Sequence, residues 1–197
     1  MIIAQSKISS WTHAFEAINI PNSLKHLHFC QSILPFVAIQ LLSTEDTMNA
    51  YVGIEGYLTQ SGFILKELCI YYDGEEFDHY LFKKPGWDLT ENDMKTVRYA
   101  SSQLNGLHFN DGSIPYKEIG QILKVISGHQ IYTFSDLAVS TLRQYLPNTM
   151  KIKNIQDMGF EMPKNLPTSY CFRSHRSRYC AKSKAREVRD FMKCFDY

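Results

Sequence analysis

Residues 51–82 carry the pattern that decides the fold: Tyr51–Leu58 (YVGIEGYL), Gln60-Ser61-Gly62, Phe63–Tyr72 (FILKELCIYY), Asp73-Gly74 and Phe77–Phe82 (FDHYLF). The first run alternates and is rich in residues that suit a pleated, half-buried surface. Gln60-Ser61-Gly62 supplies a turn, and the second run returns as another strand. Asp-Gly between two apolar runs is a strong hairpin signal. The three runs therefore predict an antiparallel meander of three strands.

Downstream the period changes. Asp88-Leu89-Thr90-Glu91 can cap a helix whose apolar side is Val97, Ala100 and Leu104. Tyr116–Ile126 has Ile119, Ile122, Leu123 and Ile126 at helical spacing, and Gly128 ends it. Gln130–Phe134 (QIYTF) reads as a short strand. Ser135-Asp136 caps a further helix that stops at Pro147. Lys151–Ile155 suggests one more strand, and Cys180–Phe195 a final helix. A meander followed by alternating helices and strands is an α/β arrangement, a mixed sheet with helices against it. That order is similar to the ribonuclease-H-like architecture of 3′–5′ exonucleases.

Upstream of Tyr51 the pattern is different. Trp11, Phe15, Ile18 and Ile20 suggest a short helix ending before Pro21, and Leu24–Leu42 a second with a break at Pro35. Residues 1–49 read as an accessory extension and residues 51–197 as the domain.

A chain of 197 residues, 44% apolar, is enough for one core of ordinary size. Disorder is disfavoured because high net charge and low hydrophobicity are both missing. The most apolar stretch, residues 29–42, is 14 residues long and includes Gln31, Ser32, Pro35 and Gln40. A spanning helix needs ~20 apolar residues, so no membrane partner is expected. No basic start leads into an apolar run, so no secretory signal is expected either.

The formal charge of +1 hides an imbalance. From Lys164 onward nine basic residues face three acidic ones, while the rest of the chain carries twelve basic and seventeen acidic. A basic segment on an acidic body attracts nucleic acid or another polyanion, or simply forms a solvated helix face. The cysteines Cys30, Cys69, Cys171, Cys180 and Cys194 are odd in number. A disulfide framework is therefore not expected, and a reducing interior, cytoplasm or nucleus, is. Cys30 and Cys69 lie in apolar surroundings and read as core residues.

Cys171-Phe-Arg-Ser-His175-Arg-Ser-Arg-Tyr-Cys180 gathers three metal-type donors within ten residues. Thiolate and imidazole donors suit Zn²⁺, which prefers four ligands in structural sites. Glu55, Cys194, Asp157 and water are the candidates for the fourth. The alternative is two ordinary cysteines and a surface histidine among arginines. The other histidines, His79 among them, show no ligand spacing, apart from His26-Leu27-His28 near Cys30.

Val52-Gly53-Ile54-Glu55-Gly56 resembles the first motif of the DEDDh exonucleases, Asp-x-Glu on strand one, with Gly53 where the aspartate would stand. Their last motif, His-x4-Asp, has His175 and then Cys180-Ala181 in its place. Phe134-Ser-Asp136-Leu is similar to a middle Phe-Asp-Leu. A two-metal nuclease needs several hard carboxylate ligands, and glycine and thiolate do not supply them. The set Glu55, Cys171, His175 and Cys180 resembles instead the Maelstrom domain, which keeps an exonuclease-like fold but carries a Glu-Cys-His-Cys zinc site. The spacing from Cys171 to His175 and from His175 to Cys180 departs from that pattern, and no basic segment like an HMG box precedes it.

That resemblance implies binding of single-stranded RNA, in the setting of transposon and small-RNA biology. Its phosphate contacts would be Arg173, Arg176, Arg178, Lys182, Lys184, Arg186 and Arg189, with Tyr170, Phe172 and Tyr179 stacking on bases or packing around the metal. Two alternatives stand beside it. One is an active Mg²⁺-dependent exonuclease using Glu55 and Asp136, with Asp157 or Asp111 as a further carboxylate and His175 as general base. The other is a non-enzymatic protein-interaction domain locked by zinc.

Overall fold

The computed structural model describes residues 48–164, 166 and 180–195. Five strands form one mixed sheet: β1 (Asn49–Thr59), β2 (Gly62–Tyr72), β3 (Phe77–Leu81), β4 (Gln130–Thr133) and β5 (Ile152–Asn154). Their order across the sheet is β3-β2-β1-β4-β5. β1 pairs antiparallel with β2, and β2 with β3, as the meander predicts. β4 joins the other side of β1 in parallel, and β5 follows β4 in parallel. The chain is thus α/β, with β1 at the centre.

The first turn is tight, and Gly62 takes φ +126° there, a value costly for a residue with a Cβ. The second is looser than Asp-Gly suggests. Residues 73–76 connect β2 to β3, and Tyr72 N–H donates to the Glu76 carbonyl at 3.2 Å. Asp73 turns back instead: its carboxylate accepts from Asn49 N–H and from the Tyr51 hydroxyl, both at 3.0 Å. It ties the start of β1 to the end of β2.

Four α-helices complete the described fold: α1 (Glu91–Tyr99), α2 (Ile119–Leu123), α3 (Asp136–Arg143) and α4 (Ala181–Met192). α1 runs on into a π-helical turn at Ala100–Leu104. The single helix expected over 116–126 is divided, with 3₁₀ turns at Tyr116–Glu118 and Lys124–Ile126 around α2. The apolar residues still point inward: Ile119, Leu123 and Ile126 are fully buried. β5 is shorter than the sequence suggests: it ends at Asn154, whose side chain caps a 3₁₀ turn over Ile155–Met158.

Two layers of helix cover the sheet. Ala50, Val52 and Ile54 of β1 pack with Ile119, Leu123, Ala138 and Leu142. On the opposite face Tyr51, Cys69, Tyr71 and Tyr132 pack against Ala181, Ala185, Val188 and Met192 of α4. Strand alternation sorts the sheet residues between the two faces, and helical spacing gathers the α4 residues on one side. Each fully buried Val or Met contributes about 1.5–3 kcal/mol relative to exposure.

One irregularity interrupts the β1–β2 ladder. Glu55 pairs with Glu67, but Gly56 pairs with Leu65, so Lys66 is the extra residue of a bulge. Lys66 is fully buried. Its ammonium donates to the carbonyls of Phe82, Phe109 and Asp111, which fastens the 109–111 loop to the sheet. Burial pushes the Lys66 pKa down to about 8, and the Asp111 carboxylate opposes that fall.

Candidate metal and nucleic-acid site

The α4 face of β1 and β2 presents Gly53, Glu55, Glu67 and Cys69 in register, with Gly53 opposite Cys69 and Glu55 opposite Glu67. α4 lies directly on Gly53. A Cβ added there would sit 2.0 Å from the Ala181 carbonyl oxygen and 2.7 Å from Ala185 nitrogen. The position therefore admits no side chain, and the helix backbone fills the space an aspartate would need.

Glu55 does not point to open water. Lys184, one turn into α4, pairs its ammonium with the Glu55 carboxylate and also donates to the Ile54 carbonyl at 3.4 Å. Asn105 Nδ2 and the Gly56 N–H approach the other carboxylate oxygen at 3.4 and 3.2 Å. A small cavity beside the pair is walled by Thr133, Phe134, Ser135 and Leu137. A second hollow beyond Glu55 is lined by Leu58, Tyr99, Leu104 and Leu137, all exposed.

The second carboxylate, Glu67, is fully buried. Helix starts leave N–H groups without partners, and Cys180, the N-cap of α4, offers no capping side-chain hydrogen bond. Glu67 supplies the acceptor from the sheet: its Oε2 takes the Ala181 N–H at 2.9 Å. A carboxylate there also favours the positive end of the helix dipole. Glu67 Oε1 lies 2.7 Å from His79 Nε2 and 3.8 Å from Cys180 Sγ. Cys69 and Cys180 are both fully buried. Burial first, then the neighbouring Cys180 and Glu67, push the Cys69 thiol far up, so it stays protonated as a core residue.

The sequence-derived zinc set is divided. Cys171 and His175 lie outside the described residues, as do Arg173, Arg176, Arg178, Tyr170, Phe172 and Tyr179. Cys180 is on the same side of the sheet as Glu55 but meets Glu67. Among the described residues no group of three or more His, Cys, Asp or Glu side chains stands ready to hold a metal ion. Cys194, another candidate ligand, is exposed and donates to the Asp190 carbonyl at 3.6 Å.

The described cations of α4 are committed inside the protein to differing degrees. Lys184 is paired with Glu55. Arg189 is buried, bridges Glu75 and Asp190, and lies over the Tyr71 ring at 4.7 Å. Lys182 stands 4.0 Å over the Phe77 ring. Arg186 is half-buried.

The carboxylates of the exonuclease alternative are scattered. Asp136, exposed at the first position of α3, accepts from Asn154 Nδ2 at 3.0 Å. Ser135 and Leu137 on either side of it line the Glu55 cavity, but Asp136 does not. Asp157 is exposed in the 3₁₀ turn after β5. Asp111 offers its carbonyl to Lys66.

Sequence reasoning misses Glu67, His79 and Lys184 as partners. The only available signal is the alternation of β2, which puts Glu67 and Cys69 on one face, and the hairpin register, which sets His79 opposite Cys69. The pairing of β2 with β3 brings His79 to Glu67, twelve residues back along the chain.

Among the described residues no helix is long and apolar enough to cross a membrane. No protein-family model, curated protein or solved structure matches the chain.

Proposed function

We propose that the chain is a zinc-containing protein of ribonuclease-H-like exonuclease fold that binds single-stranded RNA or another nucleic acid and has lost the acidic tetrad of the active enzymes. The strand order β3-β2-β1-β4-β5, with β1 flanked by one antiparallel and one parallel neighbour, supports the fold reading. The observation that carries the functional reading is the seat of α4 on Gly53. Helix backbone occupies the spot where an exonuclease would have its first metal-binding aspartate. The neighbouring Glu55 is neutralised by Lys184. Two Mg²⁺ ions ~3.5–4 Å apart would need several free carboxylates at that spot. This argues against the Mg²⁺-dependent exonuclease and for a binding role.

The zinc would be held by Cys171, His175 and Cys180, with a sheet carboxylate completing the set, and would fix the start of α4. Arg173, Arg176, Arg178, Lys182 and Arg186 are the cations left to carry phosphate contacts, since Lys184 and Arg189 are engaged in internal pairs.

The test is anisotropy titration of the full chain with labelled single-stranded RNA, zinc present, over a range of salt. Binding should weaken steeply as salt rises. Replacing Arg173, Arg176 and Arg178 together by Glu should abolish it. No binding at low salt would remove the nucleic-acid reading. The protein-interaction alternative, favoured by the internal pairing of Lys184 and Arg189, would then take its place.

A further inference from the structure

We infer that the loops on either side of α1 form a stacking surface for single-stranded RNA, with the exposed Trp87 ring as its platform and Lys84 and Arg98 as its phosphate contacts. This inference rests on the nucleic-acid reading and adds to it a surface remote in sequence from the C-terminal cations.

One loop, residues 83–90, leads from β3 to α1; the other, residues 105–113, follows the π-helical turn. The second is held from beneath. The Tyr57 hydroxyl donates to the Leu107 carbonyl at 2.6 Å, and the Leu107 N–H donates to the Asn105 side-chain oxygen at 3.0 Å. The Lys66 ammonium holds the carbonyls of Phe109 and Asp111. Tyr57, Asn105 and Lys66 are all fully buried. Gly112, at φ +124°, lets the loop lie against the end of β3, where a Cβ would be 2.3 Å from the Phe82 carbonyl oxygen. Lys83 N–H donates to the Ile114 carbonyl at 2.7 Å, and Ser113 N–H to the Leu81 carbonyl at 3.1 Å, which ties the ends of the two loops together. Three buried polar side chains committed to one loop fix its shape, and a surface fixed in advance loses little entropy on binding.

The loops present aromatic rings and unengaged cations. Trp87 is 54% exposed, and its ring stands T-shaped on Tyr116 at 5.2 Å, which props it without covering it. Phe109 is half-buried and tilted against Tyr57 at 5.9 Å. Two hollows of about 480 and 490 Å³ share Met94, Phe109 and Asn110, so they form one surface. Arg98 lines the first and Lys84 the second. Both cations are exposed, and among the described residues neither has a hydrogen bond or ion pair. Lys184 and Arg189 differ in this respect, being held in internal pairs. Asp88 is the one carboxylate lining either hollow among the described residues. It keeps phosphate off its own edge and can accept from a base amino group or a ribose hydroxyl.

A single strand fits both kinds of group. Unpaired bases stack on aromatic faces, and the phosphates between them meet the cations. An apolar protein partner would have to desolvate Arg98 and Lys84 without supplying a counter-charge. The surface therefore supplies stacking, and the C-terminal cations supply most of the charge.

The experiment titrates the full chain, zinc present, with an oligouridine labelled at one end, read by anisotropy, and with the same oligomer unlabelled, read by tryptophan fluorescence. Wild type is compared with Trp87→Ala, Trp87→Phe and the double variant Lys84→Gln, Arg98→Gln, and circular dichroism reports whether each folds. Binding should quench wild-type fluorescence, and saturating oligomer should leave little quench in Trp87→Phe. Trp87→Ala should weaken binding about tenfold, while Trp87→Phe, which keeps a ring to stack on, should stay within about threefold of wild type. The double variant should lower the slope of log affinity against log salt by about 1.4, the share of two phosphate contacts on a single strand. Unchanged affinity in Trp87→Ala, or a quench that persists in Trp87→Phe, would overturn this surface and leave the nucleic-acid reading standing. A folded wild-type protein that does not bind the oligomer at low salt would overturn the nucleic-acid reading and this surface with it.

Discussion

Gly53 of β1 and Ala181 of α4 meet backbone to backbone: a Cβ on Gly53 would lie 2.0 Å from the Ala181 carbonyl oxygen. The contact explains why small residues recur on both sides of the interface, with Ala181 and Ala185 on the helix and Gly53 on the strand. It also bears on the resemblance to exonucleases, because it makes glycine at position 53 a packing requirement.

Substituting Gly53 should therefore destabilise the protein in order of size. Gly53→Ala is expected to cost about 1–3 kcal/mol, the usual range for overpacking a dense core. Gly53→Asp should cost more, since it also buries a charge. Urea denaturation measures both. Gly53→Asp should not create Mg²⁺-dependent trimming of labelled RNA, and activity in that variant would count against the binding reading.

Lys184 and Glu55 form a second contact between the same elements. Removing one partner leaves the other charge poorly solvated. Lys184→Met should cost about 2 kcal/mol, below the ~3–5 kcal/mol of a fully buried pair because both side chains keep some solvent contact. Glu55→Gln added to Lys184→Met should recover much of that loss. A double-mutant cycle from urea midpoints gives the coupling, and simple additivity of the two losses would argue that the pair contributes nothing.

Asp93 should make the fold acid-sensitive. The hydrogen bond from Ser61, then that from Thr90, holds its carboxyl down at about 2. The unfolded value is near 3.9. A depressed carboxylate stabilises the fold fully above the unfolded pKa, and that contribution is lost as pH falls from about 4 to 2. Asp93 joins the β1–β2 turn to the start of α1: its carboxylate accepts from Gln60 N–H at 3.0 Å and from the Ser61 hydroxyl at 2.5 Å. Asp93→Asn should flatten this part of the stability–pH curve, as read from urea midpoints between about pH 5 and pH 2.

Lys66 should act at the other end of the scale. Its folded pKa of about 8 is below the ordinary lysine value of ~10.4. Between these values the unfolded chain binds more protons, so this residue makes stability rise with pH from about 8 to 10. Cys69 adds an opposing trend above about pH 8.5, because an unfolded thiol ionises there and the buried one does not. The comparison of wild type with Lys66→Met isolates the lysine. The variant should lack the alkaline gain, and identical pH profiles would show that Lys66 is not displaced from its ordinary value.

The meander, the later strands and the amphipathic α4 are legible because each is written in local periodicity. Thr90 and Ser135 are legible as helix starts for the same reason, and both accept the N–H three residues on, Asp93 and Ala138. The site is legible only in part. Glu55 and Cys180 stand out by motif, but their partners are set by register and by contacts between distant parts of the chain. Lys184 meets Glu55 across 129 residues, and Ala181 meets Glu67 across 114. No local pattern marks such pairs. The bulge at Lys66 is also silent, because a lysine in a strand ordinarily reads as a solvent-facing residue.

The central place of β1 has a consequence for how the molecule is made. Its antiparallel partner follows at once in the chain, but its parallel partner begins 81 residues after β1 starts and the helix that covers its other face 132 residues after. During synthesis the meander can pair early, while Tyr51, Cys69 and Tyr71 wait uncovered for α4. Closure of that face is a late, long-range event, and such events are slow and expose apolar surface meanwhile. A ribosome-stalled or truncated chain ending before residue 181 would therefore present a sticky apolar sheet face, and chaperone capture should concentrate on that species.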